Sequence, residues 1–280
     1  VLTVLLALGA SACWGTADFL SGERARRVPL LLVLLISQAA GIAVVGAAVV
    51  VGTTGIPGDG FWVPVVLGSF AAVVGLGALY RGLAVGSMSV VAPISATAVI
   101  VPVVVGLATG DHPSPLQGVG IAVAVLGVVL ASREPPAPDG GRSTASGVGL
   151  ALIAAVGLGC SLVALKAASD ADPAWAALSF RLVMTGVVLA AVIATRPSAR
   201  RRRSGDLRAI VVAGFLDGGA TLLFATAFSR GLLSVVSVLG GLYPVVTVIL
   251  AQTLLHERLA RWQRLGVVAA LAGVAMIAAG

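Results

Sequence analysis

At 280 residues, 59% hydrophobic and only 10% charged, with a mean hydropathy of +1.09, the chain lies outside the range of water-soluble domains, in which roughly a quarter of residues carry charge. Its formal net charge of +7 would point to nucleic acid in a soluble protein. Here the arginines gather at the ends of apolar stretches, as orienting charges do, and no stacking platform or groove-entering motif accompanies them, so no nucleic-acid partner is expected.

A helix needs roughly 20 apolar residues to cross a hydrocarbon core of about 30 Å. In chain order, such stretches predict crossings near 3–20, 30–51, 61–83, 88–109 and 116–131, then near 148–168, 174–195, 207–229, 233–255 and 262–279. The first lacks a basic leader and a small-residue cleavage site and is read as a retained span rather than a signal peptide. Between the crossings, GTTGIPGDG (52–60), DHPSP (111–115) and REPPAPDGGRS (133–143) are too rich in Gly, Pro and charge to continue a helix. The stretches lack the period-2 alternation of a membrane barrel and are twice the length of its strands, so the fold class is all-α membrane protein. Cys13 and Cys160 fall inside crossings and serve packing, not a disulfide framework. The arginine run at 196–208 fixes topology and meets anionic headgroups of the lipid bilayer.

The chain repeats itself. GSMSVV (86–91) is answered by GLLSVV (231–236) at an offset of 145; Asp111 aligns with Glu257, Gln117 with Gln263, Gly120 with Gly266 and Gly127 with Gly273 at 146; Gly15 meets Gly159 at 144. Residues 1–132 and 147–280 are therefore two five-helix repeats around a 133–146 loop. Because five is odd, the second copy enters the membrane from the opposite side, an inverted repeat suited to alternating access.

The segments WGTADFLSG (14–22), SQAAG (37–41), ALYRGLAVGSMSVVAPISA (78–96) and LYPVVTVILAQTLLHERLARWQRLG (242–266) resemble those of the drug/metabolite transporter superfamily, in particular transporters with two EamA domains. The resemblance covers essentially the whole chain. It implies ten helices, a substrate cavity between the halves, export or uptake of small metabolites such as amino acids, and termini in the cytoplasm. The first copy departs from the pattern, with Asp111 where the family's glutamate is usual and Val99 where the second copy has Pro244.

A charge inside the bilayer costs about 2.5 to 3.5 kcal/mol on insertion scales, so each intramembrane charge is a functional candidate. Asp217, in GFLDGGAT (214–221), is the expected proton-coupling or amine-binding group, the alternative being a structural carboxylate paired to arginine or capped by hydroxyls. Arg181 in the seventh crossing resembles the arginine found there in many family members; it either holds a substrate carboxylate bidentately, pairs with Asp217, or snorkels to the membrane end. Gln38 lies close to the corresponding place in the first copy. Asp18 lies one turn beyond Trp14, giving an aromatic wall and an anionic end suited to a cationic or zwitterionic substrate, or else it is an interfacial carboxylate. Pro93, Pro102 and Pro244 interrupt the fourth and ninth crossings as hinges or static kinks, with Tyr80 and Tyr243 as nearby hydrogen-bonders. Ser89 and Ser234 are expected to stabilise helix entry. The glycine stripes of the fifth and tenth crossings are expected to pack on each other rather than form a dimer face.

No HExxH, GxSxG or paired intramembrane aspartates indicate an enzyme, and His112 and His256, on opposite faces after inversion, hold no metal. No phosphate-binding loop, cofactor motif or nucleophile is present. The expected protein is a secondary active transporter of small polar or zwitterionic metabolites, an exporter of the cytoplasmic membrane coupled to protons through Asp217. Its partners are a small-molecule substrate and the lipid bilayer, and it is a monomer or homodimer; the competing reading is a non-transporting scaffold. Outside the seventh crossing, odd-numbered loops carry 15 basic residues and even-numbered loops two. By the positive-inside rule this places both termini outside, against the resemblance, and the charge distribution is preferred because it belongs to this molecule.

Overall fold

Away from water every backbone N–H and C=O must find a partner within the chain, and a helix does this locally. The computed structural model describes the chain apart from Arg26 and residues 53–54, 86–90, 92–93, 133–143, 198–203 and 255–259. Among the described residues it is all helical, with no strand. In order the helices are α1 (Leu2–Ala25), α2 (Leu30–Gly52), α3 (Trp62–Val85), α4 (Ile100–Thr109), α5 (Pro115–Ala131), α6 (Thr144–Ala171), α7 (Pro173–Thr195), α8 (Ser204–Phe228), α9 (Leu233–Gly240), α10 (Tyr243–Leu254) and α11 (Arg261–Ala279). Among the described residues eight helices are long and apolar enough to cross a membrane, α9 and α10 counting as one run. Two shorter apolar helices, Ile94–Thr109 and Pro115–Ala131, take the places of the predicted fourth and fifth crossings.

Solvent preference is turned inside out. Val50, Phe70, Ile193 and Val268 point outward, 64–78% exposed, while Ser11, Ser69, Ser169 and Ser237 are buried. Such an exterior belongs in hydrocarbon, where burying more Leu or Val gains little and small residues bring backbones together instead. A Cβ at Gly127 would lie 2.3 Å from the backbone nitrogen of Ala270, and one at Gly266 would lie 2.3 Å from that of Ala131. The glycine stripes of α5 and α11 thus face each other within one chain, as expected. The main pairings are α5 with α11, α3 with α6, α1 with α8 and α10, α2 with α7 and α8, and α4 with α9.

Helix ends explain the repeat's polar punctuation. Ser114 caps α5 by accepting from the Gln117 amide at 3.2 Å, and the Gln117 side chain accepts from the Ser114 amide at 3.0 Å. Its repeat partner Gln263 accepts from the Ala260 amide at 2.9 Å at the start of α11. Asp111, in the loop before α5, reaches α9: its Oδ2 accepts from the Ser234 amide at 2.8 Å and hydroxyl at 2.7 Å. Ser234 therefore stabilises helix entry as expected; Ser89, Glu257 and His256 lie outside the described residues.

Prolines sit where helices begin. Pro244 is the second residue of α10, and Pro102, fully buried, is the third of α4, just after a 3-10 turn at Thr97–Val99. At these positions the missing N–H is one a helix start leaves unpaired anyway. Pro244 follows the turn at 241–242, and Pro102 follows the 3-10 segment within the helical run Ile94–Thr109. Pro93 lies outside the described residues.

Candidate functional site

Three glycines bring α2 against α8. A Cβ at Gly214 would lie 2.3 Å from the Ser37 carbonyl oxygen, one at Gly218 would lie 2.7 Å from Gly41 Cα, and one at Gly41 would meet an Arg181 nitrogen at 2.4 Å. This contact is what the glycines beside Asp217 are for, and it seats Arg181 of α7 between the two helices. Arg181 is 5% exposed. Its Nη1 donates to Gln38 Oε1 at 2.6 Å and to Asp217 Oδ2 at 2.8 Å. Its Nη2 donates to the Asp217 carbonyl at 2.9 Å and the Thr221 hydroxyl at 2.7 Å. The other carboxylate oxygen of Asp217, Oδ1, accepts from Trp14 Nε1 at 3.0 Å.

Beside this cluster lies a cavity of ≈ 300 Å³. Trp14 and Asp18 enter it from α1, Ser95 to Val99 from the break before α4, Leu158 to Leu162 from α6, Asp217 and Phe224 from α8, and Gly240 to Pro244 from the break between α9 and α10. The Trp14 ring meets Phe224 edge-on at 4.9 Å and Tyr243 at 6.4 Å, forming one aromatic wall. The 3-10 segment at Thr97–Val99 and the turn at 241–242 both reach this cavity, which carries two carboxylates on a largely apolar lining, the kind of place where irregular backbone is tolerated at membrane depth.

The two breaks occupy matched places in the repeat, as Gly240, Gly241, Tyr243 and Pro244 stand 145 residues after Ser95, Ala96, Ala98 and Val99. Close contacts match as well. A Cβ at Gly15 would lie 2.6 Å from the Tyr243 carbonyl oxygen, and one at its counterpart Gly159 would lie 2.5 Å from the Ala98 carbonyl oxygen.

Of the residues expected from sequence, Trp14, Asp18, Asp217, Tyr243 and Pro244 line the cavity. Gln38 and Arg181 stand behind Asp217. Pro102 is buried in α4, and Tyr80 lies in α3 with its side chain outside what the structure describes. Ser95, Ser161, Thr221 and Phe224 were not anticipated. Ser95 carries a buried hydroxyl with no hydrogen-bond partner among the described residues. Asp18 is exposed toward the cavity, and no described group donates to it. Among the described residues no cluster of His, Cys, Asp and Glu is arranged to hold a metal.

An apolar-faced helical bundle with carboxylates lining a cavity defines a polytopic membrane protein. The chain belongs to the EamA-like transporter family, whose model matches residues 1–133 and again 145–279. A protein known from its crystal structure shares the fold with a TM-score of 0.79 at 18% identity, the match covering 98% of this chain and 95% of that one. No curated protein matches.

Proposed function

We propose that this protein is a secondary active transporter of small polar metabolites, working by alternating access as an exporter in the cytoplasmic membrane. Its ten crossings are two five-helix repeats, 1–132 and 147–280, inserted in opposite senses around the 133–146 loop. Halves related in this way exchange conformations, so states open to either side are close in energy. The bias of basic residues toward odd-numbered loops supports external termini.

The observation that carries the reading is the charged cavity itself. A scaffold gains nothing from two carboxylates and a guanidinium maintained inside an apolar bundle, whereas a carrier needs polar groups to replace its substrate's water. Both carboxylate oxygens of Asp217 are already committed, to Trp14 and Arg181. Proton coupling, expected at Asp217, is therefore assigned to Asp18, which faces the same cavity without a described donor.

The test is exchange of a pooled metabolite library across proteoliposomes under an imposed pH gradient, read by mass spectrometry. Accumulation of a subset over empty liposomes, dependent on the gradient and lost in Asp18→Asn, is the expected result. Folded, monodisperse protein that moves nothing in either gradient direction overturns the transporter reading in favour of a scaffold; transport insensitive to the gradient overturns the coupling.

A further inference from the structure

Resting on the reading of the cavity as a substrate compartment, we infer that its ligand is an organic cation, an ammonium group on a small apolar body, held through Asp18 and Ser95 and not through Arg181. The first support is charge. Asp18 and Asp217 both line the cavity; among the described residues Arg181 is paired with Asp217, which leaves Asp18 facing the cavity with no described cationic partner. Arg181 makes four hydrogen bonds to protein groups, and Asp217 stands between it and the cavity. A substrate carboxylate would have to displace that aspartate and would share the cavity with the Asp18 carboxyl group.

The second support is Ser95. Its hydroxyl is buried, unpartnered among the described residues, and borders the same cavity as the undonated carboxylate of Asp18. A buried hydroxyl left without a partner costs free energy that a ligand's N–H removes by donating to it. An ammonium carries three donors, enough to serve Asp18 and Ser95 together. Trp14 and Tyr243 border the cavity, and aromatic rings at that wall suit a cationic ligand.

The third support is an asymmetry read through the repeat. Residues 144 positions after Trp14 and Asp18 are Leu158 and Leu162, which line the cavity as well. Equivalent places therefore offer an indole and a carboxylate in the first copy but two leucines in the second. The compartment has a cationic-ligand pole on the α1 side and an apolar pole on the α6 side. A ligand with a charged head and a short hydrocarbon tail matches both, and the volume of ≈ 300 Å³ admits one of modest size.

The experiment is calorimetric titration of the detergent-solubilised protein at neutral pH with three probes of one shape: 3-methylbutylamine, 3-methyl-1-butanol and 4-methylpentanoate, each corrected against empty micelles. The amine is expected to bind, with the alcohol and the carboxylate about tenfold weaker or worse, the discrimination a charge-assisted hydrogen bond provides. Asp18→Asn is expected to weaken the amine about tenfold to hundredfold and Ser95→Ala about two- to tenfold, with unchanged elution profile and melting temperature. Asp18→Glu keeps the charge and is expected to retain measurable binding, which separates loss of the anion from loss of fold. A carboxylate or alcohol bound as tightly as the amine, an amine affinity unchanged in Asp18→Asn, or no amine binding at all overturns the inference. Binding is read without transport, so amine recognition in a protein that moves no solute would sink the transporter reading alone, and transport of anions only would sink this one alone.

Discussion

Replacing Arg181 by methionine tests whether the cluster behind the cavity is a structural ion pair. The change removes four hydrogen bonds and leaves Asp217 Oδ2, Gln38 Oε1 and the Thr221 hydroxyl without their donor. Breaking a buried pair by removing one partner costs about 3–5 kcal/mol. The Asp217 side chain keeps 29% of its surface open, so cavity water relieves part of that charge and the lower end, about 3 kcal/mol, is the working figure. For a chain of this size that lowers the melting temperature on the order of 5–10 °C, measured by differential scanning fluorimetry in detergent. Asp217→Asn leaves the less exposed guanidinium uncompensated and is expected to destabilise at least as much. The double variant Arg181→Met with Asp217→Asn removes both charges and is expected to recover to within about 1–2 kcal/mol of wild type, since replacing a whole buried pair is close to neutral. Two single variants with wild-type melting, or a double variant as unstable as the sum of the singles, would refute the pairing argument.

Asp111→Ala removes both bonds to Ser234 and is expected to cost about 1–2 kcal/mol, read as a melting shift of a few degrees, with Ser234→Ala milder because the backbone amide still finds Asp111. Gly127→Val places new atoms against the Ala270 backbone, which cannot yield without separating α5 from α11, so monodisperse folded protein on size-exclusion chromatography is not expected. In a background with Cys13 and Cys160 replaced, Ser204→Cys is expected to stay unlabelled by a membrane-impermeant maleimide in intact cells; labelling from outside overturns external termini.

The class of fold was legible because it depends on length and composition, which hydrocarbon thickness and backbone satisfaction convert almost directly into helices. The site was legible only in outline. Three charges in apolar sequence announced themselves by their cost, but which carboxylate holds the arginine is decided by helix rotation, and that follows from where glycines let helices touch. Gly41, Gly214 and Gly218 set α2 against α8 and so give Arg181 to Asp217. Trp14 and Asp18 were expected to act together because they share a face of α1; both line the cavity, yet the indole N–H serves Asp217. Ser95 and Phe224 were hidden in segments whose composition looks like any other crossing. The repeat held a signal that would have found part of the opposite wall, since carrying Trp14 and Asp18 forward by the offset of Gly15 and Gly159 lands on Leu158 and Leu162.

That correspondence permits a sharper perturbation than any deletion, namely moving the charge to its mirror position. Asp18→Leu combined with Leu162→Asp keeps the cavity's composition and puts the carboxylate on the α6 wall. If the ligand responds chiefly to one negative charge in a compartment of matched geometry, 3-methylbutylamine should bind the double variant more tightly than Asp18→Leu alone. Recovery should stop short of wild type. The mirror position has Leu158 in place of the Trp14 indole, and Gly240 in place of the Ser95 hydroxyl. Nor can the hydroxyl be transplanted to complete the swap, because a Cβ at Gly240 would lie 2.0 Å from the Phe224 ring, which packs in turn at a tilt against Phe228 with ring centroids 4.3 Å apart. The aromatic packing of α8 thus fixes which copy of the repeat carries the polar head of the site. A double variant that is folded, by its melting temperature and elution, but binds the amine no better than Asp18→Leu would show that matched sequence positions are not equivalent in the cavity, and the argument from the repeat would fall with it.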